Sequence, residues 1–215
     1  MTIVAFDFDG TLSDSEMTVL LGNQCGVADE MDEITERAMN DEIEYAESLR
    51  SRAALLEDLP EEKADAAYDE VRLREDAAET IRRLNEADVY TAILTGGFER
   101  GVAAALSREG VEVDEIVANR LPVEDGALSG EVEGPLIEGT KDDALANLAE
   151  REGVEMTDTI AVGDGANDLP MLEVAGLSVG FEPKAAVEPA CEIVVESFEE
   201  LQDVLAADGV LSTES

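Results

Sequence analysis

The sequence predicts an α/β protein: a mainly parallel, Rossmann-like sheet interleaved with helices and interrupted early by a purely helical insert. Three observations predict it. From Thr2 to Phe8 runs an apolar stretch rich in Ile and Val, closed by the turn signal Asp9-Gly10, the pattern of a strand buried on both faces. After residue 76 strand-like and helix-like segments alternate, which calls for parallel pairing through helical crossovers. Between these stretches, from Ser15 to roughly Glu75, only helical periodicity is found. The organisation expected is therefore a core of residues 1–14 and 76–215 with a helical subdomain of residues 15–75 inserted into it.

Within the insert, Ile34, Ala38 and Ile43 share a helical spacing, as do Leu49, Ala53 and Leu56, and Pro60 opens a further helix. The core resumes with a helix over Ala77–Ala87, a strand over Val89–Leu94, a helix over Phe98–Glu109 and a short strand over Glu115–Ala118. Asp125-Gly126, between short apolar runs, is the strongest local hairpin signal. The alternation then continues: helix Thr140–Glu152, strand Thr159–Val162, helix Asp168–Ala175, strands Leu177–Phe181 and Glu192–Val195, and helix Phe198–Ala206. Asp208 to Ser215 reads as a frayed tail.

Composition excludes several kinds of chemistry. The 215 residues include 14 basic and 53 acidic side chains, a net charge of −39, and no histidine. Ser-His-Asp and Cys-His mechanisms are thus closed, and acid–base work falls to carboxylates, Lys, Tyr or the two cysteines. A basic nucleic-acid-binding face is equally excluded. Cys25 and Cys191 offer neither a disulfide framework nor a zinc-type pairing, and no apolar run approaches the ~20 residues that span a bilayer. A protein of the cytoplasm, with no membrane and no nucleic-acid partner, is expected. The acids are scattered through every helix, only three Lys are present, and Arg supplies the remaining positive charge. That distribution fits a high-salt cytoplasm, where a Debye length of ~3 Å at 1 M salt screens the repulsion.

In an open parallel sheet the ligand site lies beyond the carboxyl ends of the strands. The first strand runs into Asp7 and Asp9, the strand ending at Leu94 into Thr95-Gly96-Gly97, and the strand ending at Val162 into Gly163-Asp164-Gly165-Ala166-Asn167-Asp168. Asp7, Asp9, Asp164 and Asp168 therefore converge on one edge, and carboxylates so close cannot all ionise without a cation. An oxygen-liganded Mg²⁺ answers that need. The hydroxyl and free amides of Thr95-Gly96-Gly97, near a helix N-terminus, form a pocket for phosphate oxygens. Mg²⁺-assisted phosphoryl transfer is the chemistry these features imply.

The succession Asp-x-Asp-x-Thr, Thr-Gly-Gly, Lys141 and Gly-Asp-Gly-x-Asn-Asp resembles the haloacid dehalogenase superfamily. The resemblance implies that Asp7 is the nucleophile of an aspartyl-phosphate intermediate and that Asp9 acts first as general acid and then as general base. It implies phosphoryl binding by Thr95, Gly96 and Lys141, and a metal held by Asp7, Asp164 and the backbone carbonyl of Asp9. Asn167 and Asp168 would support the site. The insert, from Met39 to Arg52 together with Glu16, resembles the cap of the phosphoserine phosphatases within that superfamily. There the residue matching Glu16 meets the substrate ammonium and the one matching Arg52 its carboxylate. A zwitterionic amino-acid end is suited to such a pair. Met39 and Tyr45 would wall the pocket, with Gly97 and Asn167 also lining it, while Arg50 reads as a solvated side chain. Thr95, Gly10 and Tyr45 stand where Ser, Ser and Phe are usual, and Arg74-Glu75-Asp76 stands where a Pro- and Gly-containing hinge is usual.

The expected reaction is hydrolysis of phosphoserine, a small phosphomonoester, to L-serine and phosphate by a monomer or homodimer. Another small substrate such as phosphoglycolate, or phosphotransfer to homoserine, are the rivals in kind. A non-enzymatic acidic module that binds cations or basic chains is the rival of a different class.

Overall fold

The computed structural model of the chain describes residues 1–39 and 42–212. The apolar runs become the strands β1 (Ile3–Phe6), β2 (Tyr90–Phe98) and β3 (Glu115–Asn119), a small pair β4 (Val123–Glu124) and β5 (Ala127–Leu128), then β6 (Thr159–Gly163), β7 (Leu177–Phe181) and β8 (Ile193–Val195). The helices are α1 (Met17–Cys25), α2 (Ala28–Met39), α3 (Tyr45–Ala54), α4 (Glu61–Tyr68), α5 (Ala77–Glu86), α6 (Glu99–Glu109), α7 (Lys141–Glu152), α8 (Leu169–Val174) and α9 (Phe198–Ala207).

Six strands form one sheet in the order β3-β2-β1-β6-β7-β8, and every pairing in it is parallel. Because side chains alternate between faces along a strand, β1 feeds two cores. Val4 and Phe6 join Ile81, Leu84, Val102, Phe198 and Leu201 on one face, while Ile3 and Ala5 join Leu145, Leu148 and Met171 on the other. The strand order reverses about β1, so the ends of β1 and β6 open onto the crevice where such sheets take ligands.

Three local readings are corrected by non-local contacts. β1 stops at Phe6, not Phe8: the Asp7 amide still donates to Val162 O, but Phe8 O then accepts from Thr11 and Ser13, and the chain turns at Gly10 with φ +96°. Thr95-Gly96-Gly97 is not a loop after Leu94. β2 continues to Phe98, and a register shift sets Leu94 against Val117 but Phe98 against Asn119, so the triplet is a bulge. Ile43 does not extend the helix of Ile34 and Ala38, since α2 ends at Met39 and Ile43 lies in the bend before α3.

The described residues between β1 and α5 contain α1 to α4 and no strand. The segments that lead out to these helices and back are joined to each other, with a bridge between Ser13 and Leu73 and the Arg74 amide donating to Leu12 O. The Asp125-Gly126 hairpin turns with φ +50° and +84°, the positive pair a two-residue turn requires. Its β5 edge is paired to the insert as well: Asp58 N donates to Leu128 O, and Leu128 N to Leu59 O. Among the described residues, no helix is long and apolar enough to cross a membrane.

Candidate active site

Asp7 follows β1 directly and is buried, as is Lys141 in the first turn of α7. Lys141 Nζ lies 2.5 Å from Asp7 Oδ1 and 2.6 Å from Asp168 Oδ1. A lysine near a helix start is usually solvated, but here two carboxylates take the ammonium out of water, and they hold its pKa above the ordinary lysine value against burial. Asp168 Oδ2 accepts from the amides of Asp164 and Gly165, each at 2.9 Å, so both its oxygens are engaged and it braces the loop after β6. Asp164 accepts from Thr11 Oγ1 at 3.3 Å and pairs with Lys184 Nζ at 3.2 Å.

One oxygen each from Asp7, Asp164 and Asp168 lie within 4.8 Å of one another. Asp7 and Asp168 share the buried ammonium of Lys141 while Asp164 faces the exposed Lys184, and the excess of negative charge left at the cluster is one that a hard, oxygen-seeking divalent cation fits. The same excess acts on Asp7: burial and the neighbouring Asp168 push its carboxyl up to about 8, against the pull of Lys141.

Asp9 differs from Asp7 in its surroundings. Its Oδ1 is buried without a partner, and burial, then Glu16 and Asp7, raise its pKa well above the usual carboxylate range. A carboxyl whose surroundings favour its protonated form suits a general acid. Gly97 makes room for it, since a Cβ there would come 2.7 Å from Asp9 Oδ2. Gly97 N donates to Thr95 Oγ1 at 2.9 Å, and Asn119 Nδ2 donates to Gly96 O at 3.0 Å, which fixes the bulge. Gly10 is equally constrained, a Cβ there falling 2.5 Å from Asp164 Oδ1.

The insert brings Glu16, Arg52 and Tyr45 to the same cleft. Glu16 sits just before α1, its pKa raised mainly by burial, and Arg52 donates to Thr18 Oγ1 at 3.4 Å. Burial lowers the Arg52 pKa, and Tyr45, Glu16 and Asp9 oppose that shift, so these groups sense one another across the cleft. The Tyr45 hydroxyl lies against Gly96, where any Cβ would overlap it, which gives the expected apolar wall a polar tip over the bulge. The Met39 backbone closes α2, but its side chain, with Asn40 and Asp41, lies outside the described residues. Asn167 is exposed, its Oδ1 facing Gly165. Arg50 pairs with Glu138 on the surface.

Sequence reasoning passed over Asn119, Arg74 and Lys184. Each acts on a residue distant in the chain, and nothing in the local pattern marks such a link: the strand read over Glu115–Ala118 runs one residue further, to the buried Asn119.

Residues 4–173 match the family model of the haloacid dehalogenase-like hydrolases. Over 210 residues the chain is 51% identical to a phosphoserine phosphatase of Halobacterium salinarum, covering 98% of this chain and all of that one. A phosphoserine phosphatase of Methanocaldococcus jannaschii is 38% identical over 204 residues, 94% of this chain and 95% of the relative. Among solved structures, a phospho-aspartyl intermediate analogue of phosphoserine phosphatase superposes with TM-score 0.86 at 37% identity, covering 94% of this chain and 98% of that one. A substrate-bound phosphoserine phosphatase complex superposes with TM-score 0.87 at 36% identity, covering 94% and 97%.

Proposed function

The chain belongs to the haloacid dehalogenase-like hydrolase family, and from that premise we propose that it hydrolyses O-phospho-L-serine to L-serine and phosphate, the reaction that completes serine synthesis in the cytoplasm. The observation that carries the reading is the pairing of two unlike ends in one cleft. At one end stand Asp7, Asp9 and Lys141; at the other stand a carboxylate, Glu16, and a guanidinium, Arg52. A phosphomonoester whose remote end is zwitterionic answers both.

In this reading Asp7 attacks the phosphorus and the seryl oxygen leaves with the proton of Asp9. Ionised Asp9 then takes a proton from water as that water attacks the aspartyl-phosphate, which releases phosphate and regenerates Asp7. Lys141 and Asp168 hold Asp7 in line, and Thr95, Gly96 and Lys141 receive the phosphoryl oxygens. Tyr45 covers the reaction from above. Asp7, Asp164 and the Asp9 carbonyl would hold the cation, Mg²⁺ in this reading, which would offset the negative charge of the phosphoryl group.

The test is phosphate release in about 2 M KCl, where charge repulsion is screened, with Mg²⁺ and a panel of phosphoserine, phosphothreonine, phosphoglycolate and p-nitrophenyl phosphate. Wild type is expected to prefer phosphoserine. Arg52→Ala is expected to lose at least about tenfold in kcat/KM for that substrate and little for p-nitrophenyl phosphate, which has no carboxylate to pair. Asp7→Asn is expected to abolish turnover of all four. Equal turnover of the panel, unchanged in Arg52→Ala, would discard the serine assignment.

A further inference from the structure

Arg74 belongs to none of the roles above, yet it joins more separate parts of the site than any other side chain described here. It stands where the helical insert returns to the core. Its amide donates to Leu12 O at 2.8 Å, and its Nη2 donates to Gly10 O at 3.0 Å, inside the turn that follows the nucleophile. Nη1 pairs with Glu182 Oε2 at 2.6 Å, and the guanidinium lies 5.2 Å from the ring centre of Phe181, at the end of β7. Glu182 is itself held in a positive-φ conformation, +42°, with its amide on Val195 O. Two residues on, the Lys184 amide donates to Asp164 O at 2.9 Å. One planar fork thus ties the Asp7–Ser13 turn to the β7–β8 loop, which in turn grips the loop carrying Asp164.

The consequence falls on the Asp9 carbonyl. A trans peptide is planar, with its C=O directed opposite to its N–H. The Gly10 N–H donates to Ser13 O at 2.7 Å, so the Asp9 carbonyl is turned away from Ser13. The next peptide plane, Gly10 C=O with Thr11 N–H, is held from two sides: Thr11 N donates to Phe8 O at 3.2 Å, and Arg74 is the one described side chain that reaches Gly10 O. Between the two planes Gly10 holds φ +96°, a conformation with no preference of its own for one plane orientation, since glycine tolerates many. We infer that Arg74 is a positioning residue that sets the Asp9 carbonyl and Asp164 in register for the metal and couples that register to the return of the insert. The inference rests on the proposed metal role of those two residues. Lysine cannot replace it fully, because a point charge cannot serve Gly10 O, Glu182 and the Phe181 face at once.

The experiment is Mg²⁺ titration by calorimetry in high KCl on wild type, Arg74→Met, Arg74→Lys, Glu182→Gln and, as a control for general destabilisation, Arg108→Met. Among the described residues Arg108 bonds Val71 O and Asp69, and it touches none of Gly10, Glu182 and Phe181. Circular dichroism and melting in the same buffer report folding. Removing a residue that orients metal ligands typically weakens metal binding about 10- to 100-fold, so Arg74→Met is expected to raise the Mg²⁺ Kd at least about tenfold. Arg74→Lys should fall between it and wild type, Glu182→Gln should weaken binding less, and kcat should drop more than KM rises. Arg108→Met should lower Tm and leave the Mg²⁺ Kd unchanged. A folded Arg74→Met with the wild-type Kd overturns the inference; if that variant does not fold, Arg74→Lys decides, and a wild-type Kd there overturns it equally. Wild type that binds no Mg²⁺ would instead refute the metal reading on which the inference stands, and binding without phosphoserine turnover would refute only the substrate.

Discussion

A carboxyl enclosed with Asp168 and cut off from water keeps its proton to unusually high pH, and Asp7 does so up to about 8 even with Lys141 at 2.5 Å. The sign of the linkage follows. With the folded pKa above the unfolded value of 3.8, this group's contribution to stability is complete at low pH and is lost as pH rises through about 8. A divalent cation needs the ionised carboxylate and must displace that proton, so Mg²⁺ affinity is expected to climb from pH 6 to 8, by up to about tenfold per unit for one displaced proton, and to level off above. Calorimetry in two buffers of different ionisation enthalpy measures the proton directly; a pH-independent Kd with no proton release would show Asp7 ionised beforehand. Gly96 offers a second test at this scale. Its Cβ would overlap the Tyr45 hydroxyl outright and press on Tyr45 Cζ at 3.3 Å, a far smaller conflict. Gly96→Ala is therefore expected to cut kcat/KM, and Tyr45→Phe in the same chain to restore part of the loss, a double-mutant cycle with clear coupling. Additive effects would mean that the two residues do not meet in the working enzyme.

Elements were legible in the sequence where their signal is local. The alternating apolar runs marked six parallel strands, and Asp125-Gly126 marked the hairpin because two consecutive positive φ values need those residue types. The acids at the strand ends were legible for the same reason: once the strands are parallel, their carboxyl ends share an edge. What stayed hidden depends on partners far along the chain. The Thr95-Gly96-Gly97 bulge exists because Asn119, the last residue of β3, holds it: Nδ2 donates to Gly96 O while Oδ1 accepts from Leu136 N, both at 3.0 Å. Arg74 reaches Gly10 over 64 residues, and Lys184 reaches Asp164 over 20. No periodicity encodes such links. Asn119→Ala would leave the half-buried Gly96 carbonyl and the buried Leu136 amide without this partner, at up to about 1–3 kcal/mol each, partly relieved by water. Melting in high KCl should register a loss of that order, and KM for phosphoserine should rise as the bulge loosens. Unchanged KM with lowered Tm would confine Asn119 to the scaffold.

Across the whole molecule, positive charge is spent locally. Arg50, Arg82, Arg100, Arg120 and Arg151 each face a carboxylate on the surface, Lys141 is buried between two, and Lys184 sits on Asp164. Exposed pairs of this kind contribute only about 0–1 kcal/mol each, so they do little to offset a net charge of −39. Two salt effects should follow, and they are separable. Repulsion between surface carboxylates opposes the compact state, so folding should need salt. The same field repels an incoming dianionic phosphate, so kcat/KM should go on rising with KCl after folding is complete, as the Debye length contracts from about 10 Å at 0.1 M to about 3 Å at 1 M. Circular dichroism at each KCl concentration fixes where folding ends, and kcat/KM measured beyond that point isolates the encounter. Sucrose supplies the control, because it favours burial without screening charge. In sucrose at low salt the protein should fold yet turn over substrate slowly, the deficit lying in kcat/KM and not in kcat. If kcat/KM instead falls with KCl throughout the folded range, the cleft presents a positive potential to its substrate, set by Lys141, Arg52 and Lys184 against the field of everything around them.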